Sequence, residues 1–515
     1  MQEPSARSVS LADRISVAAL DGPDRPALIW HDRVLTWGEL DRRVTEAAAA
    51  LAALDLPDSA GHPARVAISL PNTPGFAVTF FSVLRAGLIA VPVNPAFTGR
   101  ELRHVLADSG AAALVATDEV RARVAALRDD LPALTAVLDV RLAPAEPTGA
   151  KPAARPAPED LAVLLYTSGT EGSPKGAMLS HRALTANHEQ VDRIDPVVVG
   201  PDEVVLLALP LFHAYGLNSG LGAVAYHGAR GVLVDHFDPA EALSLIARHQ
   251  VTVVVGVPSM YLGWSLLPEL GEAMASVRVV ACGAAPLDGV TAARFTEATR
   301  HPVFVGYGLT ETAPIVTSTL VSPVPKVGSI GRPLPGIDLK LVANDGTETW
   351  RSATSDVDDD DGDGDPGEIV VRGDNLFSGY WPDGHGGPDA DGWWATGDIA
   401  YADADGDLFL VDRRGELILV NGFNVYPREV ELVLEQHPGV AEAAVVGVAH
   451  PYTGQTVKAF LVRAPGTDAG PEDVLRHAQR NLARFKLPTS VEFVTELPHS
   501  AIGKVRKTLL RGQHG

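Results

Sequence analysis

The sequence contains almost no cysteine, and this limits both its chemistry and the compartment that it fits. Cys282 is the only cysteine among 515 residues, so no disulfide can form within the chain. A chain of this length buries enough apolar surface to fold without disulfides or a structural metal. A lone cysteine gives no sign of a zinc site, and scarce thiols are typical of a reducing compartment. We therefore expect a cytoplasmic protein.

Basic residues are also scarce. The chain has 42 Lys and Arg against 64 Asp and Glu, which gives a formal net charge of −22. This balance argues against a nucleic-acid partner, which needs a basic surface. If the substrates are anions, the cationic and N–H groups that bind them must be concentrated locally, because the overall field repels them.

Long uninterrupted apolar segments are absent. The most apolar N-terminal stretch, residues 76–93, contains Arg85 and Pro92 and predicts a buried helix followed by a strand, because it is too short to span a membrane. The polar start of the chain, Met1 to Ser10, lacks the apolar segment of a secretory signal. We expect no transmembrane segment, and no amphipathic anchor indicates a membrane surface.

Apolar runs that alternate with helical stretches predict an α/β fold. In the N-terminal part, residues 37–54 and 72–86 have helical patterns, and residues 65–70 and 88–93 have strand patterns. Six later runs have the continuous apolar character of a parallel sheet covered on both faces. They are residues 161–166, 204–209, 231–234, 251–257, 277–282 and 303–305. Because ligands bind at the carboxyl ends of such strands, the residues that follow these runs are the candidate site.

The C-terminal third has a different character. Residues 328–412 combine short strands with many glycines and predict a small β subdomain; its acidic run, residues 356–365, fits a solvated loop better than an EF-hand. We expect a large N-terminal domain, residues 1–412, made of layered α/β subdomains plus this β subdomain. A small mobile α+β domain, residues 413–515, is expected to follow it.

Residues 166–176 (YTSGTEGSPKG) form a candidate phosphate-binding loop between the strand 161–166 and a helical segment that starts at Ser180. The glycines relieve the steric limits on the backbone, so that successive N–H groups can turn toward one anion. The Thr and Ser hydroxyls add donors, and Lys175 adds a cation for phosphate oxygens. The glycine spacing does not fit a Walker A loop. The structural alternative is a flexible surface loop rich in Ser and Gly.

Residues 306–311 (GYGLTE) follow the strand 303–305 and carry three side chains suited to a magnesium nucleotide. The Tyr307 ring stands between two glycines and can pack on a flat base. Thr310 can donate to a phosphate, and Glu311 is a hard oxygen ligand of the kind that Mg2+ takes together with substrate phosphates. Taken alone, the segment fits a strand–turn–helix connection with a capping Thr-Glu equally well.

Three polar residues closer to the C-terminus are further candidates. Asp398 lies in a Thr-Gly-Asp segment before a predicted short strand and can accept hydrogen bonds from two ribose hydroxyls, to which Arg413 can add a contact. A β-turn aspartate and a surface arginine are the alternatives. Lys504 follows Gly503 in a polar segment and can reach into a cleft, although most lysines are simply solvated.

These motifs, in this order, resemble those of the adenylate-forming superfamily, which includes acyl-CoA synthetases, aryl-CoA ligases, luciferases and peptide-synthetase adenylation domains. The resemblance covers nearly the whole chain. It implies catalytic roles for Lys504, Thr170, Thr310 and Glu311, and it implies that Thr170 and Glu311 hold Mg2+. It also implies cofactor contacts for Thr167, Ser168, Gly169, Gly172, Lys175, Gly283, Ala284, Tyr307, Asp398, Arg413, Gly422 and Phe423.

Residues 422–431 (GFNVYPREVE) resemble the fatty-acyl-CoA synthetase branch in particular, where this region helps to build a tunnel for pantetheine. The resemblance therefore implies coenzyme A as the acceptor in a second step. The chain departs from the family at the hinge, where Gly415 stands two residues after Arg413 in place of the usual Asp or Lys. Glycine permits the wide backbone rotation that a hinge needs, but the usual side-chain anchor is missing.

The resemblance places the acid in a pocket formed by residues 210–216, 256–258 and 282–285. It implies substrate contacts for His213, which occupies the position that gates the pocket in relatives, and for Tyr215, Gly256, Val257 and Gly308. These segments are mostly small and apolar and contain no Arg or Lys. We therefore expect a hydrophobic acid, fatty in class, rather than a dicarboxylic acid.

The sequence predicts a ligase that uses ATP and Mg2+ to convert a carboxylic acid to acyl-AMP and then transfers the acyl group to coenzyme A. Three alternatives stay open: an acyl-AMP ligase that loads a carrier protein, a monooxygenase of the luciferase kind, and a non-catalytic nucleotide or acyl-CoA binding protein. The sequence leaves open the chain length of the acid and the oligomeric state, a homodimer included.

Overall fold

The computed structural model divides the chain into two compact units. It describes residues 10–59, 61–140, 156–167, 174–352, 365–413, 416, 418–420, 423–450, 454–499 and 505–512. Met1–Ile337 and Arg372–Trp393 form the first unit, and Asp338–Val371 and Trp394–Gly515 form the second. The residues of the expected β subdomain therefore cluster mainly with the C-terminal residues, and the domain boundary at residue 413 stays a prediction.

Helices α1 to α11 belong to the first unit. They span Leu11–Asp21, Trp37–Ala52, Pro74–Arg85, Gly99–Ser109, Asp118–Ala125, His181–Val191, Ala223–His227, Pro239–His249, Pro258–Ser265, Leu270–Ala273 and Gly289–Thr299. A π-helix spans Tyr215–Gly222, and short 3-10 helices span Arg128–Asp130 and Thr310–Thr312.

Side-chain caps fix where several of these helices begin. The Thr36 hydroxyl accepts from the Glu39 N–H at 3.2 Å while the Glu39 carboxylate accepts from the Thr36 N–H at 3.1 Å, a reciprocal pair at the start of α2. The Ser180 hydroxyl caps α6 by a single hydrogen bond, accepting from the Ala183 N–H at 3.1 Å. Helix α3 buries an apolar face that includes Phe76, Phe80 and Phe81, as its sequence predicts.

Strands β1 to β15 also lie in the first unit. They span Pro26–Trp30, Arg33–Thr36, Arg65–Ser69, Ile89–Pro92, Ala113–Ala116, Ala136–Leu138, Leu161–Thr167, Lys175–Ser180, Val204–Leu207, Arg230–Leu233, Val253–Gly256, Val279–Cys282, Phe304–Gly308, Ile315–Ser318 and Arg332–Pro333. They form a nine-stranded sheet in the order β15-β14-β13-β12-β11-β9-β10-β1-β2 and a six-stranded sheet in the order β6-β5-β3-β4-β7-β8.

The prediction that six apolar runs share one parallel sheet is wrong for the first of them. Leu161–Thr167 (β7) pairs with β4 and β8 in the six-stranded sheet, whereas the other five runs are neighbours in the nine-stranded sheet. Within the nine-stranded sheet, β1, β10, β9, β11, β12 and β13 are parallel to one another, and β2, β14 and β15 add antiparallel edges. An apolar run predicts a buried strand but does not indicate which sheet that strand joins.

The second unit contains two sheets, three α-helices and a short 3-10 helix, Arg484–Lys486, in its described part. Strands β16 to β20 span Asp338–Val342, Glu348–Arg351, Gly367–Arg372, Trp394–Ala402 and Leu408–Arg413 and form a sheet in the order β17-β16-β18-β19-β20. The other sheet has the order β22-β21-β24-β23, and β25 pairs with β24. Its strands β21 to β25 are Ile418–Val420, Phe423–Val425, Val440–His450, Gly454–Arg463 and Ser490–Val494, and helices α12 to α14 are Pro427–Glu435, Pro471–Asn481 and Lys507–Gly512.

Two expectations concern segments with a limited description. Within the described residues, no helix is both long and apolar enough to cross a membrane. The acidic run expected to form a solvated loop lies almost wholly outside the described residues, since only Asp365 of it is described.

Candidate active site

Four predicted site segments lie at adjacent strand ends of the nine-stranded sheet. Its neighbouring parallel strands β13, β12, β11 and β9 end at or just before the segments that carry Tyr307, Gly283, Gly256 and His213. Because these four strands are parallel, their carboxyl ends meet at one edge of the sheet. This edge is where ligands of such sheets bind.

The end of β13 is shaped by a close approach of two backbone segments. Tyr307 is buried and pairs with Thr317 across the antiparallel β13–β14 pair. At Gly308 the sheet leaves no room for a side chain, because a Cβ atom there would lie 1.7 Å from the Pro314 carbonyl oxygen. The strand extends to Gly308 and is followed directly by the 3-10 turn with Thr310 and Glu311, so it is longer than the predicted run 303–305.

Glu311 is a buried carboxylate with a tyrosine partner that the sequence motifs do not identify. Its side chain is only 7% exposed, and the Tyr380 hydroxyl donates to its Oε1 atom at 2.7 Å. The Lys175 ammonium lies over the ring of the same tyrosine, 5.3 Å from its centroid. The Phe377 N–H donates to the Glu311 carbonyl oxygen at 2.9 Å. The candidate phosphate lysine and the candidate metal carboxylate are therefore brought to one aromatic side chain.

Buried amides brace the chain that follows Glu311. Asn375 donates to the Thr312 carbonyl at 2.7 Å and accepts from Gln190 at 3.0 Å. Asn187 donates to the Ile315 carbonyl at 2.8 Å, and Asn218 donates to the Ala313 carbonyl at 2.7 Å. Buried polar groups with satisfied hydrogen bonds make a rigid support, so this network holds the turn behind Glu311 in one conformation.

The predicted phosphate loop joins two antiparallel strands. Thr167 and Lys175 are Cα partners at the ends of β7 and β8, and residues 168–173 between them lie outside the described part. The helical segment predicted from Ser180 is confirmed as α6, which Ser180 caps, and strand β8 lies between it and the loop. The predicted contacts of Ser168, Gly169, Thr170 and Gly172 fall outside the described residues and stay predictions.

Helix α4 holds both flanks of this loop through side chains one turn apart. The Tyr166 hydroxyl donates to Asp108 Oδ2 at 2.6 Å, and His104 Nε2 lies 2.9 Å from the Pro174 carbonyl oxygen. Burial, followed by the hydrogen bond to Asp108, raises the pKa of Tyr166 well above its ordinary value, so the phenol keeps its proton. His104 and Asp108 carry no motif signature, and their contribution comes from the tertiary fold.

The predicted acid-binding glycines face aromatic rings. A Cβ atom on Gly283 would lie 3.1 Å from the Tyr215 ring, and one on Gly256 would lie 2.9 Å from the Tyr261 hydroxyl. The Tyr261 hydroxyl donates to the Ala281 carbonyl at 2.6 Å. Burial raises the pKa of Tyr215 above its ordinary value, so this phenol stays neutral. Tyr215 begins the π-helix, a feature that is frequent at functional sites.

The segment with His213 is fixed by an asparagine that belongs to none of the sequence motifs. Asn72 is buried, donates to the Leu209 carbonyl at 2.7 Å and accepts from the Leu211 N–H at 3.0 Å. The His213 ring packs on Phe212 with their centroids 4.8 Å apart. Asn72 follows β3, so its place just beyond the carboxyl end of a strand was the available signal.

The remaining predicted residues lie in the second unit. Asp398 is 5% exposed and lies within β19, so the prediction that it precedes a strand is wrong. Arg413 is its Cα partner on β20. Phe423 begins β22, where its backbone pairs with Val420. Gly415, Gly422 and Lys504 lie outside the described residues, and their roles stay predictions.

The described residues fit a magnesium ion that is held largely by its nucleotide. Among them no group of three or more His, Cys, Asp or Glu side chains could hold a metal alone. Mg2+ usually takes one or two carboxylates plus substrate phosphates and does not need a protein cage. Glu311 is a single buried carboxylate of the required hard-oxygen type.

The sequence matches two family models. Residues 16–381 match the model described as AMP-binding enzyme, and residues 429–504 match the model described as AMP-binding enzyme C-terminal domain. A feruloyl-CoA synthase from Amycolatopsis sp is 37% identical, with 96% of each chain covered. A long-chain-fatty-acid–CoA ligase from Escherichia coli O157:H7 is 34% identical, with 98% of this chain and 95% of the relative covered.

Solved structures give the same assignment. ATP-bound MatB from Rhodopseudomonas palustris has a TM-score of 0.87 at 31% identity, with 98% of each chain covered. An anthranilate CoA ligase in complex with anthranoyl-AMP has a TM-score of 0.84 at 27% identity, with 98% of this chain and 96% of that chain covered. The chain therefore belongs to the AMP-binding enzyme family, and it is an AMP-forming acyl-CoA ligase that uses ATP and coenzyme A.

Proposed function

We propose that ATP and the acid meet at the carboxyl edge of the nine-stranded sheet, with Tyr307 on the base and Thr310 and Lys175 on the phosphates. The observation that carries this proposal is that Tyr380 contacts both Glu311 and Lys175. Two motifs far apart in sequence separately assign these residues to one magnesium nucleotide. Their common contact supports a single site for its phosphates and metal.

We assign Mg2+ to Glu311, with Thr170 as the second predicted contact. When bound, the ion would neutralise negative charge on the phosphates and so favour attack by an anionic carboxylate. The low exposure of Glu311 supports the assignment, because a buried carboxylate interacts strongly with a cation. Gly283 and Ala284 complete the predicted contacts to the nucleotide along the same edge.

In the proposed first half-reaction, a carboxylate oxygen of the acid attacks the α-phosphorus of ATP. A new O–P bond forms, the bond to the β-phosphate oxygen breaks, and pyrophosphate leaves. Lys504 is assigned to the charge that develops between the carboxylate and the α-phosphate, and Asp398 and Arg413 are assigned to the ribose. Orientation and electrostatic stabilisation carry the rate of such a step.

In the proposed second half-reaction, the thiol sulfur of coenzyme A attacks the acyl carbonyl. A C–S bond forms, the bond between the acyl carbon and the AMP oxygen breaks, and the thiol proton passes to solvent. We propose that Gly422 and Phe423 contact pantetheine after a rotation about Gly415. No side-chain nucleophile is needed, and burial raises the pKa of Cys282 so that its thiol stays neutral.

The first candidate for the acid is a fatty acid. His213, Tyr215, Gly256, Val257 and Gly308 supply small, apolar or aromatic surfaces, which suit a hydrophobic tail. The fatty-acid ligases among the relatives support this candidate.

The second candidate is an aromatic monocarboxylic acid, and the aromatic packing around the glycines favours it. Tyr261 fills the space behind Gly256, and the Tyr215 ring stands against Gly283. A pocket bounded in this way is shortened for a long chain, while the face of Tyr215 can stack on a flat ring. The 37% identical feruloyl-CoA synthase supports this candidate.

Pyrophosphate release across a panel of acids tests the function and chooses between these candidates. The panel contains short, medium and long fatty acids, benzoate and ferulate, each assayed with and without coenzyme A. If coenzyme A accelerates pyrophosphate release for one class of acid, that class is the substrate. Release that ignores coenzyme A for every acid would favour a carrier protein as the acceptor, contrary to the account.

A lysine variant tests whether Lys504 acts only in the first half-reaction. Lys504→Ala should abolish pyrophosphate release from the acid and ATP but still convert supplied acyl-adenylate to acyl-CoA. Lys507→Ala is the nearby control; Lys507 forms ion pairs with Glu416 and Glu431 at 2.9 and 2.7 Å and has no assigned role in catalysis. Normal adenylate formation by Lys504→Ala would remove Lys504 from the first step.

A further inference from the structure

The segment that carries Tyr380 is fixed against the strand that follows the phosphate loop. The Trp381 N–H donates to the Gly176 carbonyl at 2.8 Å, and the Met178 N–H donates to the Gly379 carbonyl at 3.1 Å. Tyr380 itself forms an antiparallel bridge with Ala177. The backbone of Tyr380 is therefore held as an additional strand position beside β8, opposite Ala177 and two residues along the strand from Lys175.

The side chain of Tyr380 is held from a second direction. Its ring meets the Phe377 ring edge to face, with their centroids 5.1 Å apart. Phe377 in turn donates its N–H to the Glu311 carbonyl, so the tyrosine ring and the Glu311 backbone share a neighbour. A side chain fixed at both its backbone and its ring can hold a partner group in one orientation.

We propose that Tyr380 is a positioning residue for the magnesium nucleotide, acting on the metal through Glu311 and on the phosphates through Lys175. This inference rests on the proposed function of the same site. The hydroxyl donates to Oε1 of Glu311 and fixes the carboxylate plane, which leaves Oε2 and the remaining lone pair of Oε1 for the ion. Outer-shell hydrogen bonds of this kind orient metal ligands and affect metal affinity.

The aromatic ring of Tyr380 acts on the second group, the Lys175 ammonium. A cation over the face of an aromatic ring is attracted by the electrons of that face. The ring therefore holds the Lys175 ammonium near Glu311 before the nucleotide arrives, without the direct ion pair that would make each group unavailable to its own ligand. No ion pair between Lys175 and Glu311 occurs among the described contacts, although both touch the same tyrosine.

Two substitutions separate the two contacts. Tyr380→Phe removes the hydroxyl but keeps the ring, and Tyr380→Leu removes both. Tyr380→Phe should raise the Mg2+ concentration for half-maximal pyrophosphate release about tenfold, with the KM for the acid unchanged. Tyr380→Leu should show the same metal effect and, at saturating Mg2+, a higher KM for ATP than Tyr380→Phe.

Metal binding without turnover gives the second readout. Mn2+ prefers similar oxygen ligands, and its binding to the protein with α,β-methylene ATP can be followed by electron paramagnetic resonance. Tyr380→Phe should weaken this binding about tenfold. Ser16→Ala is the matched control, because it also loses a hydroxyl–carboxylate hydrogen bond, to Asp41 at 2.7 Å, but lies on α1 outside the candidate site, and it should keep the wild-type Mn2+ affinity.

Glu311→Gln distinguishes failure of this inference from failure of the proposed function. If Glu311→Gln weakens Mn2+ binding and Tyr380→Phe binds like the wild type, Glu311 keeps its assignment and the role of Tyr380 is refuted. If neither variant changes Mn2+ binding, the metal assignment to Glu311 and the inference about Tyr380 both fall. Equal Tm values for the wild type and Tyr380→Phe would show that a metal effect does not come from unfolding.

Discussion

Asp398 and Arg413 are Cα partners on the antiparallel strands β19 and β20, although different sequence motifs carry them. Asp398 is buried, and its own N–H donates to the Thr396 hydroxyl at 3.1 Å. Opposite positions on neighbouring strands bring residues within reach of one ligand. The pairing supports the proposal that both residues recognise the same ribose.

Asp398→Ala should raise the KM for ATP by about 10- to 100-fold, because hydrogen bonds to a charged group are each worth roughly 1.5–3 kcal/mol. The KM for the acid should change little. Steady-state pyrophosphate release at varied ATP measures the effect. Asp405→Ala, an exposed position on the turn between the same two strands, is the control, and an equal rise in its KM would refute a specific role for Asp398.

Gly308→Ala should destabilise the protein by about 1–3 kcal/mol, a usual cost of overpacking. The added Cβ would lie 1.7 Å from the Pro314 carbonyl oxygen, and a rigid backbone cannot yield to it as a flexible side chain could. Gly306→Ala is a matched control in the same strand, since its Cβ would meet no atom closer than the Thr317 oxygen at 3.6 Å. Equal denaturant midpoints for the two variants would contradict the account of this close approach.

Lowering the pH should reduce the free energy of unfolding, because three histidines are buried in their neutral form. Burial lowers the pKa of His188 to about 3 and the pKa values of His181 and His227 to about 4. Unfolded histidine titrates near pH 6.5, so between about pH 6.5 and 4 the unfolded chain binds protons that the folded chain excludes. Stability is therefore full above pH 6.5 and falls as the pH is lowered toward 4.

A partly exposed carboxylate offsets some of this loss. Burial raises the pKa of Asp192 to about 6, so its stabilising contribution is present at low pH and disappears as the pH rises through 6. Because Asp192 is partly exposed and screened by solvent, it offsets less than one of the three histidines, and the free energy of unfolding should fall by roughly 3 kcal/mol per pH unit near pH 5. Urea midpoints from pH 7 to pH 4.5 measure this slope. His188→Gln should reduce it, and an unchanged slope would show that His188 does not titrate as described.

Local sequence signals predicted a helix well where its capping residues and its apolar pattern indicate the same element. The helix expected at residues 37–54 occurs as Trp37–Ala52, because Thr36 and Glu39 cap its start and its apolar residues face the core. The buried face of α3 likewise follows from its apolar side chains. These signals act within one turn or one strand, and so the chain itself contains them.

Contacts between distant segments could not be predicted in the same way. The place of β7 in the six-stranded sheet depends on pairing with β4 and β8. The apolar sequence of β7 does not indicate which strands it pairs with. Tyr380 lies in a glycine-rich stretch that resembles a surface turn, and only the fold brings its hydroxyl to Glu311. The supporting amides, such as Asn72 and Asn218, resemble ordinary polar residues until their buried carbonyl partners are known.

The acyl-adenylate intermediate is the central claim, and oxygen transfer from the acid tests it most directly. The preferred acid is labelled with 18O in both carboxylate oxygens and incubated with ATP, Mg2+ and coenzyme A, and the products are analysed by mass spectrometry. Attack of the carboxylate on the α-phosphorus predicts one 18O in AMP, one in the thioester carbonyl and none in pyrophosphate. Unlabelled AMP, or label in a released phosphate, would contradict the account.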